Sequence, residues 1–266
     1  MPRPLSASPA IDSLLARAPQ LWRGREPNRS QRTLSTGHSR LDKRLPGGGW
    51  PLGAVTELIA GTHGLGEFSL LFPTLAELSH RGEWLVLIDP PWIPYPAALQ
   101  GQGLALERLL LVRTANAKES LWACEQALQA SRGGAVLAWP ELIGYRQINF
   151  ARLRRLQLAA EAGAKPAFLF RPEDARKAAS PAALRLFLRG TGTHTHDSSH
   201  QEQQGSTRIE ILKSRGQQTL EPLWLPCRHP LALRQTHLMG STDIEQANTR
   251  TLPGQQPVLP ATAVIN

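Results

Sequence analysis

Gly61-Thr62-His63-Gly64-Leu65-Gly66-Glu67-Phe68 is the stretch that decides how this chain is read. A short apolar run over residues 54–59 precedes it. After it, Phe68, Leu71, Phe72, Leu75 and Leu78 recur at helical spacing over residues 68–79. Strand, glycine-rich turn and helix in that order are the setting of a P-loop, G-x-x-x-x-G-K-[ST]. Gly61 and Gly66 stand at the motif's spacing, with Gly64 between them, but Glu67 holds the lysine position and Phe68 the hydroxyl position. The lysine neutralises the β/γ-phosphates and the hydroxyl holds magnesium. A carboxylate repels phosphate instead, by roughly 4 kcal/mol for unit charges about 4 Å apart at an effective dielectric near 20. Phe68 cannot ligand a metal. Pro73 falls inside the helical pattern, so it either kinks the helix or marks its true start.

Working outward, strands and helices alternate. Residues 84–89, 109–113, 135–139 and 167–171 read as strands, nearly all apolar, as expected when both faces of a sheet are covered. Asn116 with Glu119 three residues on resembles a capping box for a helix over 118–130. Asn149 caps a further helix that places Phe150, Leu153, Leu156 and Ala160 on one face. Residues 184–189 and 208–213 add two more strands. This alternation predicts an α/β domain with a mainly parallel sheet flanked by helices. The expected organisation is a flexible N-terminal arm over 1–32, a core over 33–216 and an extended Pro/Gln-rich tail over 217–266.

The formal charge is +9 and unevenly distributed: net +6 over 1–50, −4 over 51–145, +7 over 146–189 and zero over 190–266. Arg152, Arg154 and Arg155 lie together on the helix after Asn149, where they can contact DNA phosphates without sequence preference or form a solvated face. Cys124 and Cys227 are too few for a disulfide framework, and a reducing cytoplasm fits them. Cys124, in a helix beside Trp122, reads as core. His194, His196 and His200 have no carboxylate or cysteine completing a metal site, so neither metal nor cofactor is expected. Trp92, in a proline-rich loop over 90–96, is a candidate interaction point. No apolar run approaches the roughly 20 residues that span a membrane.

The wider pattern resembles the RecA family. Thr36-Gly37, Leu41-Asp42 and the glycine cluster Gly47-Gly48-Gly49 precede the first core strand, as in that family's opening. The resemblance places a catalytic glutamate at Pro91 and a magnesium-binding aspartate at Trp139. With the lysine also lost at Glu67, it implies a RecA-like P-loop-type core with a degenerate nucleotide site and no enzymatic activity.

Within that pattern the chain is similar to the ImuA proteins. The matching segments are Leu21-Trp22-Arg23-Gly24, Gly64-Leu65-Gly66-Glu67, Phe72-Pro73-Thr74-Leu75-Ala76, Leu121-Trp122-Ala123, Ser180-Pro181-Ala182-Ala183-Leu184-Arg185-Leu186 and Ile211-Leu212-Lys213-Ser214-Arg215-Gly216. The resemblance implies an accessory role in SOS-induced translesion DNA synthesis. The implied partners are an ImuB-like inactive polymerase, an error-prone replicative-type polymerase and RecA. Lys213 and Arg215 match a basic pair that RecA proteins use across the protomer interface. An alternative is a division inhibitor of the SulA type: those proteins share a reduced RecA-like fold, are induced by DNA damage and act on a tubulin-like division protein, but they are shorter and lack the long stretch before the P-loop that this chain resembles. Two further readings remain open: a weak ATPase assisted by Glu57 or Asp89, and a simple DNA-binding module.

Overall fold

The computed structural model describes residues 32–61, 67–130, 133–142, 148–190, 206–214 and 221–226. Strands are β1 (Thr33–Leu34), β2 (Trp50–Pro51), β3 (Ala54–Ala60), β4 (Trp84–Ile88), β5 (Leu109–Val112), β6 (Gly133–Ala138), β7 (Pro166–Pro172), β8 (Leu184–Gly190), β9 (Ser206–Ser214) and β10 (Leu223–Pro226). Helices are α1 (Ser39–Asp42), α2 (Phe72–His80), α3 (Pro96–Gly101), α4 (Ala117–Gln129) and α5 (Phe150–Gly163). β1 and β2 form a small antiparallel pair. The other eight strands form one sheet in the order β10-β9-β8-β3-β7-β6-β4-β5, parallel from β8 to β5 and antiparallel at β8–β9 and β9–β10. The architecture is α/β, with a mostly parallel central sheet flanked by helices.

The continuous apolar runs follow from burial on both faces. Leu85 and Leu87 of β4, Ala135 and Leu137 of β6, and Phe168 and Phe170 of β7 face the cluster containing Phe72, Leu75 and Leu78 of α2. The alternate residues Val86, Ile88, Val136, Ala138, Ala167 and Leu169 face Leu121, Cys124 and Leu128 of α4 and Leu153, Leu156 and Ala160 of α5. The period of two along each strand assigns each side chain to one helix layer. Cys124 lies fully inside the second cluster.

Local chemistry sets the helix ends. Pro73 sits in the first turn of α2, where its missing N–H leaves no intrahelical bond unmade, and Ser69–Leu71 form a separate 3-10 turn ahead of it. Proline therefore starts this helix and does not kink it. The Asn116 side chain accepts from the amides of Lys118 and Glu119, and Glu119 reaches back to the amide of Ala115. At the far end of α4, the Lys165 ammonium donates to the carbonyls of Ala127 and Ala130, placing a cation where the helix dipole is negative. α5 ends where Gly163 passes the carbonyl of Leu128. A Cβ there would stand 1.9 Å from that oxygen, so only glycine fits.

Two expectations change. Phe150, the first residue of its helix, is 52% exposed and does not join Leu153 and Leu156 in the core. The sheet also continues past Gly216: β10 pairs antiparallel with β9 within the segment read as a tail from 217. The isolated four-residue pattern Leu223–Pro226 gains strand geometry only by adding to a formed edge. The remainder of the tail and the arm over 1–31 lie outside the described residues.

Candidate functional site

Parallel strands end together, so the carboxyl ends of β3, β4, β6 and β7 share one sheet edge. In open α/β sheets this edge, near the point where strand order reverses, is where ligands bind. Here β4 leads outward to β5 and the chain returns to β6 beside β4. The residues that this edge presents are aromatic. Trp139 continues the alternation of Ala135 and Leu137 and so turns toward α2. Its ring stacks on Phe170 at 4.1 Å and 5°. Phe68 meets Trp139 edge-on at 6.4 Å and Phe72 at 5.0 Å. Four rings thus pack together where a P-loop site would hold its hydroxyl and metal ligand. Such a cluster adds about 0.5–1.5 kcal/mol per pair beyond area burial.

Glu67 is buried. The Glu173 carboxylate at the end of β7 lies against Gly61, where a Cβ would stand 2.9 Å from Oε2. Glu173 is itself flanked by Arg176 and Arg189, at 4.0 and 3.8 Å. Gly64 and Gly66 fall outside the described residues. Pro91, where the resemblance to RecA put a catalytic glutamate, is half-buried in the loop after β4.

The carboxylates Glu57 and Asp89 are both engaged. Glu57 of β3 has a fully buried side chain that accepts from Arg171 Nη1 at 2.9 Å, Arg185 Nε at 2.5 Å and Ser180 Oγ at 2.8 Å. Arg171 is also held by both oxygens of Glu141, with Nη2–Oε1 at 2.6 Å. Glu141 in turn accepts from the Ile148 amide at 2.8 Å. Arg185 donates to the Ala175 carbonyl, and Lys213 to the Ser180 carbonyl at 2.7 Å. Two carboxylates and two guanidiniums make a neutral buried set, the form in which buried charge is tolerated. Burial opposes the charge on Arg171, but its bonds to Glu141 and Glu57 prevail and hold its pKa above the ordinary value. Sequence reading missed the roles of Arg171, Arg185 and Glu141. The available signal was a charged residue inside each of the apolar strands β3, β7 and β8.

Asp89 closes the end of β4. Its carboxylate accepts from the amide and hydroxyl of Thr114, both at 2.8 Å, and its backbone is left-handed with φ 53°. Beyond it Trp92, Ile93 and Tyr95 are 75%, 77% and 72% exposed. Of the arginines on α5, Arg155 pairs with Glu125 at 2.7 Å, Arg154 is exposed and Arg152 is half-buried. Arg215 and the histidines 194, 196 and 200 lie outside the described residues. Among the described residues, no group of three or more His, Cys, Asp or Glu side chains could hold a metal, and no helix is long and apolar enough to cross a membrane.

No protein-family model matches the chain. Curated relatives do. The chain is 30% identical over 144 residues to the cell division inhibitor SulA of Edwardsiella piscicida, covering 53% of this chain and 82% of that protein. It is 30% identical over 135 residues to the cell division inhibitors SulA of Yersinia pestis (strain Pestoides F) and Yersinia pseudotuberculosis serotype O:1b (strain IP 31758). Those alignments cover 50% of this chain and 77% of each relative. These relatives overturn the ImuA reading and, with it, the translesion-synthesis role and the ImuB-like, polymerase and RecA partners. The segments that carried that reading include strands and turns of the shared scaffold, such as Leu184–Leu186 in β8 and Ile211–Ser214 in β9. Scaffold residues report a fold and not a partner.

Proposed function

The chain belongs to the family of cell division inhibitors named SulA, and we propose that it arrests division by binding the tubulin-like division protein FtsZ. It acts in the cytoplasm in response to DNA damage, without catalysing a reaction. The relatives carry this reading: their alignments span four-fifths of the Edwardsiella protein. The strand-end geometry supports the non-enzymatic part. Phe68, Phe72, Trp139 and Phe170 pack together at the strand ends, among them the positions where the resemblance to RecA put the hydroxyl and the metal ligand, and Glu57 and Asp89 are spent on buried bonds. The finer fold reading, a RecA-like core that has lost its nucleotide site, draws support from the central place in the sheet of β3, the strand that precedes the glycine-rich segment. Such a core serves here as a rigid platform for docking.

The test is twofold. Expression of the chain in rod-shaped bacteria is expected to produce filaments that lack septa. Purified chain at stoichiometric excess is expected to suppress polymerisation of the division protein, with no phosphate release from ATP or GTP by the chain alone. Normal division together with undiminished polymer would overturn the proposal.

A further inference from the structure

We propose that the loop 90–96 is a preformed apolar plug that inserts into an apolar cleft of the division protein; this deepens, and rests on, the inhibitory reading above. Trp92, Ile93 and Tyr95 are each more than 70% exposed, within four consecutive positions. Single exposed apolar residues are ordinary, but three large ones in so short a loop mark a contact site. Trp and Tyr are also among the side chains that dominate binding energy when they fill a partner's pocket.

The loop is proline-rich and held at both ends. Four of its seven residues are proline, Pro90, Pro91, Pro94 and Pro96, and each fixes its own φ. Its first end is clamped to the end of β5: Asp89 takes two bonds from Thr114, its amide donates to the Val112 carbonyl at 2.9 Å, and Arg113 Nη1 donates to the Pro90 carbonyl at 2.5 Å. The other end runs into α3, which Leu99 anchors in the core. A clamped, proline-rich loop loses little freedom on docking, so more of its contact energy appears as affinity.

The occupied surface is a protein cleft and not a bilayer. Elements that lie in a membrane interface combine apolar side chains with Lys and Arg for the headgroups. From Pro90 to Leu106 the chain carries no Lys, Arg, Asp or Glu. Arg113, the cation bonded to the loop, is turned onto the Pro90 carbonyl.

The test compares the full chain with the double variant Trp92→Ala/Ile93→Ala and with Trp122→Ala, which removes a tryptophan 62% exposed on α4. Affinity for the purified division protein is read by calorimetry, with thermal unfolding as the control for folding. The double variant is expected to bind at least about 30-fold more weakly with an unchanged unfolding temperature, while Trp122→Ala binds like the parent. Equal affinity of the double variant, or an equal loss in Trp122→Ala, would overturn the plug but leave the inhibitory reading standing. A parent chain that does not bind at all would overturn both. Sedimentation of the parent, but not the double variant, with phosphatidylglycerol vesicles would overturn the choice of a protein cleft.

Discussion

Replacing Glu57 by glutamine should be among the most destabilising single changes available to this chain, although it removes only a charge. The glutamate side chain is fully buried and lies 2.9 Å from Arg171 Nη1 and 2.5 Å from Arg185 Nε. At an effective dielectric near 20, each contact is worth about 6 kcal/mol of Coulomb attraction before the cost of desolvation. The two guanidiniums are not equally exposed to its loss. Arg171 keeps the bidentate carboxylate of Glu141, whereas Arg185 keeps only the neutral carbonyl of Ala175. An uncompensated buried cation typically costs about 3–5 kcal/mol, which lowers the unfolding temperature of a domain this size by roughly 10 °C. Urea titration should therefore show a lower midpoint with an unchanged slope. Replacing Glu57 and Arg185 together by leucine removes one charge of each sign and leaves the Arg171–Glu141 pair intact. That variant should recover most of the loss. A cost below about 1 kcal/mol for Glu57→Gln, or a double variant as unstable as the sum of its parts, would refute the claim that buried charge balance holds β3, β7 and β8 together.

Three further outcomes follow from the same structure. Cys124 is fully buried, and burial pushes its thiol well above the ordinary range, so it should resist a thiol reagent in the folded chain and react only in urea. Burial also holds the His38 imidazole below its ordinary value of 6.5, against the smaller opposing effects of the Leu70 carbonyl and Asp42. The unfolded chain then binds this proton more tightly, so the contribution is present above about pH 6.5 and lost on acidification below it. His38→Gln should flatten the fall in unfolding temperature between about pH 7 and pH 5. Restoring the motif lysine with Glu67→Lys should yield no ATP turnover, since Pro91 and the stacked Trp139 remain. Steady-state phosphate release above background would contradict the filled-site argument.

Much of the fold was legible in the chain. The strands are uninterrupted apolar runs because both sheet faces are covered, and that pattern is local. The starts of α4 and α5 were equally legible, since Asn116 and Asn149 cap them through bonds spanning two or three residues. Less visible was anything that depends on which strands lie side by side. Glu57 lies more than a hundred positions from both Arg171 and Arg185, and only the register Glu57↔Arg185 and the adjacency of β3 and β7 turn three isolated charges into one network. Likewise Trp139 read as a vacancy in a metal site. The sheet order that brings Phe170 and Phe68 against it makes it a packed wall. The partner was misread because strands and glycine turns are common to several families that share a scaffold. By itself, then, the sequence determined the alternation of elements and their caps, because those are carried by neighbours along the chain. Only the tertiary structure decided that Glu57 and Asp89 are structural, that aromatic rings fill the strand ends and that Trp92, Ile93 and Tyr95 stand in solvent, because burial and charge pairing belong to contacts between segments far apart in sequence.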